Sequence, residues 1–128
     1  VLIAATVVGI LAVLFHLVAF TLESVLWTRP AVFGRFGVAS AADAETIRPM
    51  AYNQGFYNLG LAVGVAVGLA LLGSDGDSLI VGKTLVAFGA ACMALAGLVL
   101  ASTGRSYLRS AAPQFVLGAL TLVLVLAA

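Results

Sequence analysis

The strongest constraint on this chain is its division into four long apolar runs, 1–26, 52–72, 79–101 and 111–128, separated by polar connections. A helix that crosses the hydrocarbon of a bilayer needs about 20 mostly apolar residues. Lipid offers backbone N–H and C=O groups no partners, so a lone spanning segment must satisfy its own and folds as a helix. The chain is 63% hydrophobic and 9% charged, far from the roughly 25% charged residues of soluble domains. These observations predict one transmembrane domain, 1–128, of the all-α class: an integral membrane four-helix up-down bundle with a short interfacial helix in the first loop. A cleaved signal peptide is the rival reading of the first run, but its apolar region would be shorter and free of ionisable groups. The chain opens on Val1 and closes on Ala127-Ala128, so further residues are expected beyond one or both ends.

Arg29, Arg35 and Arg48 fall in the long connection 27–51, and Arg105 and Arg109 in the third, 102–110, against only Lys83 near the second, 73–78. Loops one and three share a side in a four-span chain, and a surplus of Lys and Arg marks that side as cytoplasmic. Loop 27–51 is therefore expected inside and both termini outside. Within it, Trp27, Phe33 and Phe36 suit the headgroup zone, where aromatic rings settle. Ser40 followed by Asp43 predicts a helix start, with the short helix running to about Arg48 and stopping at Pro49. That segment reads as an interfacial helix or lid, or as an ordered turn joining two spans. The connection 73–78 carries Asp75 and Asp77 but lacks the ligand spacing of a calcium loop, and reads as a polar turn.

Ionisable groups at membrane depth cost about 2.5–3.5 kcal/mol to insert and tend to face a bundle interior. Glu23 lies near the end of the first run, with His16 seven residues upstream. At about 100° per residue, His16, Phe20, Glu23 and Trp27 share one helical stripe, with the first and third about 10 Å apart along the axis. A water or another helix must therefore bridge them. The second run opens Tyr52-Asn53-Gln54-Gly55-Phe56-Tyr57-Asn58, and bare amides facing lipid are expensive. Asn53 and Tyr57 align with Gly60, Gly64 and Gly68, a double GxxxG row that permits close helix approach; Gln54 and Asn58 point to an adjacent face. Ala90, Ala94, Gly97 and Ala101 offer matching small residues on the third helix. Thr103 and Gln114 complete a set of polar groups in the cytoplasmic halves of the helices, with Gly118 and Thr121 following on the Gln114 face. The outer halves are nearly all Ala, Val, Leu and Gly. A polar cavity open to the cytoplasmic side is the expected arrangement.

Asn53-Gln54-Gly55-Phe56-Tyr57-Asn58, the His16 to Glu23 spacing, and Trp27 with the Phe33-Gly34 and Phe36-Gly37 steps resemble the domain-of-unknown-function 1304 family of small bacterial four-span membrane proteins. The resemblance covers nearly the whole chain, and the NQG-x-YN element is its most specific part. Where that family shows Gln-Gly-x-Pro opening the last helix, this chain has Pro113-Gln114 followed by Phe115. The resemblance implies a fold, a set of shared polar positions and a bacterial inner-membrane location, without an activity.

Three functional classes follow from the polar groups, beside a purely structural role in which interhelical hydrogen bonds lock the bundle. The first is a pocket for a small amphipathic or lipid-like molecule, with Glu23 as general acid, His16 as its catalytic companion, and Trp27, Asn53, Gln54, Tyr57, Asn58 and Gln114 as ligand-binding residues. A quinone, bound through donors to its ring carbonyls, is a variant. The second is a small proton-coupled carrier, disfavoured by the apolar outer halves. The third is an accessory subunit docking through the Gly60, Gly64, Gly68 face on a larger membrane complex or on itself as a homo-oligomer. Membrane lipid is the expected surrounding partner. A net charge of +1 without a clustered basic face argues against nucleic acid. Phosphate-loop, HExxH, paired-cysteine and nucleophile-elbow motifs are missing, Cys92 reads as a small buried hydrophobe, and no cofactor or metal is indicated.

Overall fold

The computed structural model describes residues 1–128. Helix α1, Leu2–Phe20, runs on into a π-helical turn, Thr21–Val25. A four-residue helix α2, Pro30–Phe33, and a 3-10 turn, Gly34–Phe36, fill the first loop. The remaining elements are α3, Ala41–Leu71, α4, Gly76–Thr103, a 3-10 turn, Arg105–Tyr107, and α5, Leu108–Ala127. No strand is formed. Four segments, Leu2–Val25, Ala41–Leu71, Gly76–Thr103 and Arg105–Ala127, are long and apolar enough to cross a membrane. The chain is an all-α, multi-pass membrane protein. Its exterior fits that class: Ile3, Phe88, Leu95 and Leu126 stand exposed, which lipid tails tolerate and water does not.

The chain forms two compact units. The first comprises Val1–Phe15 with Leu61–Ala128. Its centre draws on all four long helices: Ala12, Val65 and Met93 are fully buried, with Val13, Leu61, Leu69 and Leu117 packed around them. A second cluster joins Leu72, Val86 and Val125. Lipid is as apolar as Leu, so association rests on packing, helped by small residues that let backbones approach. A Cβ on Gly68 would lie 2.9 Å from the Gly82 carbonyl, and one on Gly118 would lie 2.6 Å from the Ala94 nitrogen and 2.9 Å from the Ala90 carbonyl. Contacts that ascend one helix while descending the next make each of these pairs antiparallel, as an up-down order requires.

The glycine row of α3 does not act as one face. Only Gly68 is closely covered; a Cβ at Gly60 or Gly64 would meet nothing within 4 Å. Residues four apart advance by about 400°, so the row drifts by about 40° at each step. A helix that turns Gly68 and Val65 inward therefore carries Gly60 away from the contact. The small residues of α4 expected to match that row pack elsewhere: Ala90 and Ala94 meet Gly118, and Gly97 meets Ala111 and Phe115 of α5.

The second unit is His16–Gly60. Trp27, Phe33 and Ala44 are buried together, flanked by Phe36, Val38 and Ala51. The Trp27 indole N–H donates to the Ala44 carbonyl at 2.9 Å, so a bulky ring is buried without stranding its donor. Gly37, at φ 77°, closes the 3-10 turn in the left-handed region that glycine adopts freely. Ser40 caps α3 as expected, its Oγ accepting from the Asp43 N–H at 3.1 Å. Pro49 does not stop that helix. The Glu45 carbonyl that it leaves without an amide belongs to an exposed turn, where water or headgroups can satisfy it, so the helix continues to Leu71. The short separate helix of the loop is Pro30–Phe33 instead. In α5 the helix begins at Leu108, which places Pro113 inside it rather than at its start.

These contacts predict opposite outcomes for two glycines. Gly118→Ala forces α4 and α5 apart and should destabilise the protein by about 1–3 kcal/mol. Gly64→Ala fills open space and gains helix propensity of up to about 1 kcal/mol. Unfolding in mixed detergent micelles, followed by helical circular dichroism, separates the two; equal effects would refute the packing described.

Candidate functional site

The polar chemistry of the second unit gathers where α1 changes winding. A π-helical turn holds one more residue than an α turn and marks many functional positions. Here it carries Glu23 at its middle, and the Glu23 side chain is buried. Opposite it on α3 is Asn58, also buried. The Asn58 Nδ2 donates to Glu23 Oε2 at 2.9 Å and to the Gln54 backbone carbonyl at 3.2 Å. Two acceptors around one nitrogen fix the orientation of the amide, because the flipped form would place its oxygen against both.

Gly55 makes this approach possible. A Cβ there would fall on the Ser24 hydroxyl and lie 3.1 Å from the Ser24 nitrogen. Ser24 in turn donates from Oγ to the Tyr52 carbonyl at 2.8 Å. One turn away the same two helices meet through Phe20 and Phe56, whose ring centroids are 5.2 Å apart in an edge-to-face arrangement. Tyr52 leans on Phe56 with centroids 4.9 Å apart.

Of the residues expected to form a site, Glu23 and Asn58 are brought into direct contact. His16 is fully buried on the stretch of α1 that precedes the π turn. Trp27 is buried as well, but its polar edge is engaged by Ala44 and its ring is packed on Phe36 at 5.2 Å. Asn53, Gln54 and Tyr57 are exposed on α3. Gln114 is half-buried on α5, in the first unit, where Thr121 is fully buried and donates to the Leu117 carbonyl at 2.7 Å. Shallow apolar grooves of the first unit, one of them lined by Thr6, Ile10, Leu14 and Ala66, carry no ionisable group. Ser24 and Gly55 belong with the Glu23–Asn58 contact, and sequence reasoning passed over both. Gly55 did carry a signal, since small residues in a membrane helix let a neighbouring backbone approach closely.

Chemically, the contact is a carboxyl group held by a carboxamide between two apolar helices. Removing the amide leaves the carboxyl buried without its donor, which costs more than the bond contributes. A double-mutant cycle of Glu23→Leu and Asn58→Leu, each of which removes one partner outright, should show a coupling of about 1 kcal/mol, within the span found for interhelical hydrogen bonds in membranes. Gly55→Ala should destabilise by about 1–3 kcal/mol by displacing the π turn. Strict additivity of the pair would show that the two side chains do not interact.

Residues 10–126 match the family described as "Protein of unknown function (DUF1304)". No curated protein and no solved structure matches the chain.

Proposed function

This chain belongs to the DUF1304 family, and from that premise we propose that it binds a small amphipathic molecule within the membrane at Glu23 and Asn58, where Glu23 can exchange a proton with the bound group. The observation that carries the proposal is the buried Asn58 to Glu23 hydrogen bond, 2.9 Å long, centred on a π turn. An apolar side-chain pair would join the helices without the cost of inserting a carboxyl group, so retaining one favours a use for it. A proton carrier placed against an oriented amide is the minimal equipment for acid–base chemistry on a polar group at the end of an apolar tail. His16, on the preceding stretch of α1, would be the second titratable participant, and Trp27 would fix the loop beside the site.

Purification in a mild detergent followed by lipid extraction and mass spectrometry tests this. The expected outcome is a bound amphipathic species at a defined stoichiometry in the unmodified protein and its loss in Glu23→Gln. Retention by that variant would remove the proposed role of Glu23.

The same proposal places the protein in the bacterial inner membrane with loops one and three in the cytoplasm and the termini outside. Its support is the distribution of the six basic residues: Arg29, Arg35, Arg48, Arg105 and Arg109 against Lys83. In a Cys92→Ala background, Ser74→Cys should react with a membrane-impermeant maleimide added to intact spheroplasts, and Ser40→Cys only after lysis. The reverse pattern would invert the orientation.

A further inference from the structure

The hydrogen-bond inventory of the second unit specifies what kind of polar group the site can receive, an inference that rests on the ligand-binding reading above. Both N–H groups of the Asn58 amide are engaged, one by Glu23 Oε2 and one by the Gln54 carbonyl. What the pair offers beyond its own bond is Asn58 Oδ1 and Glu23 Oε1, two acceptor oxygens on side chains that are only 7% and 9% exposed. Neither oxygen is sealed off from its surroundings. With Glu23 ionised, a visiting group must therefore bring donors.

The charges of the unit point the same way. Glu23 forms no ion pair: Arg48 is joined to Glu45 at the surface at 3.4 Å, and Arg29 and Arg35 are exposed. Buried carboxylates are ordinarily matched by a cation as well as by donors. A quinone or other carbonyl ligand supplies no donor, and an alcohol supplies one. A primary ammonium supplies three donors and the missing positive charge. Next to the pair, Phe20 and Phe56 keep apolar ring surface available, with Phe56 exposed by 44%, which suits an attached hydrocarbon tail.

We propose that the Glu23–Asn58 site binds the primary ammonium end of a single-tailed amphipathic amine, with Glu23 Oε1 and Asn58 Oδ1 accepting from its N–H groups and the tail lying along Phe20 and Phe56. Binding is non-covalent and needs no co-reactant.

Three head groups on one tail test it on the full chain in neutral detergent micelles: dodecylamine, dodecyltrimethylammonium, which keeps the charge without N–H donors, and dodecanol, which keeps a donor without the charge. Trp27, the single tryptophan, reports locally by fluorescence, and titration calorimetry gives stoichiometry. Dodecylamine should saturate at one per chain and bind about ten- to a hundredfold more tightly than either analogue, the range for losing charged hydrogen bonds. Glu23→Gln should abolish that preference and Asn58→Ala should reduce it. The head-group comparison is made on the unmodified protein, so it stands even where a variant folds poorly. Saturable, Glu23-dependent binding of dodecanol with no preference for the amine would overturn the ammonium assignment while leaving the ligand-binding reading intact. Non-saturable partition of all three would overturn both.

Discussion

A carboxyl group placed inside an apolar helix has to be supplied with a donor from the protein, and in this chain that requirement organises a whole unit. Asn58 supplies the donor from α3. Where Glu23 meets that amide, α1 adds a residue to its winding, over Thr21–Val25. The two backbones can then meet only where a side chain is missing, which is the position of Gly55 against Ser24. Ser24 uses the proximity to donate to Tyr52, in a turn of α3 that precedes the amide. Each of these features is unremarkable alone. Together they follow from one buried polar contact.

The two units solve the problem of cohesion in lipid by different means. In the first, where the surroundings are as apolar as the helices, contact is made with glycine and alanine, and the close approaches at Gly68, Gly97 and Gly118 bring backbone against backbone. In the second, the first loop contributes aromatic mass: Trp27, Phe33 and Phe36 close over Ala44 and Ala51, and one indole hydrogen bond fixes the direction of the chain as it enters α3. Packing of small residues tolerates little displacement, since the atoms in contact are backbone. The aromatic cluster, built of side chains on a capped and glycine-closed loop, holds the start of α3 without depending on helix crossing.

How much of this could be read from the residues depends on which physical rule decided each feature. Hydropathy determines spanning helices almost alone, so the four spans and the all-α class were legible. The Ser40 cap was legible for a similar reason, because a side-chain acceptor at a helix start acts locally. Pro49 was not, since its effect depends on whether the carbonyl four residues earlier has another partner, and Glu45 sits where it can find one. The π turn was not legible: Thr21, Glu23 and Ser24 make Thr21–Val25 more polar than the α-helical residues before it, but polar side chains do not prescribe an extra residue in the winding. The glycine row is misleading because a spacing of four is not a straight line on a helix but drifts around it by about 40° at each step. The polar residues divided for a comparable reason. His16, Glu23 and Trp27 are all buried, although the change to π winding at Thr21 and the end of the helix at Val25 break the single stripe that an ideal α-helix predicts, whereas on α3 only Asn58 of the three amides turns inward.

That division among the amides bears on what the proposed ligand site would recognise. A cavity lined by Asn53, Gln54 and Asn58 together would present donors and acceptors in equal number and would accommodate a carbonyl as readily as an alcohol or an amine. With Asn53 and Gln54 exposed, and with both Asn58 N–H groups already engaged, the balance shifts to acceptors. Under the proposed ligand reading, a ring carbonyl arriving at Asn58 would meet an oxygen rather than an N–H. Selectivity of this kind arises from the half of an amide that the protein leaves unused, and here the half left unused is the one that accepts.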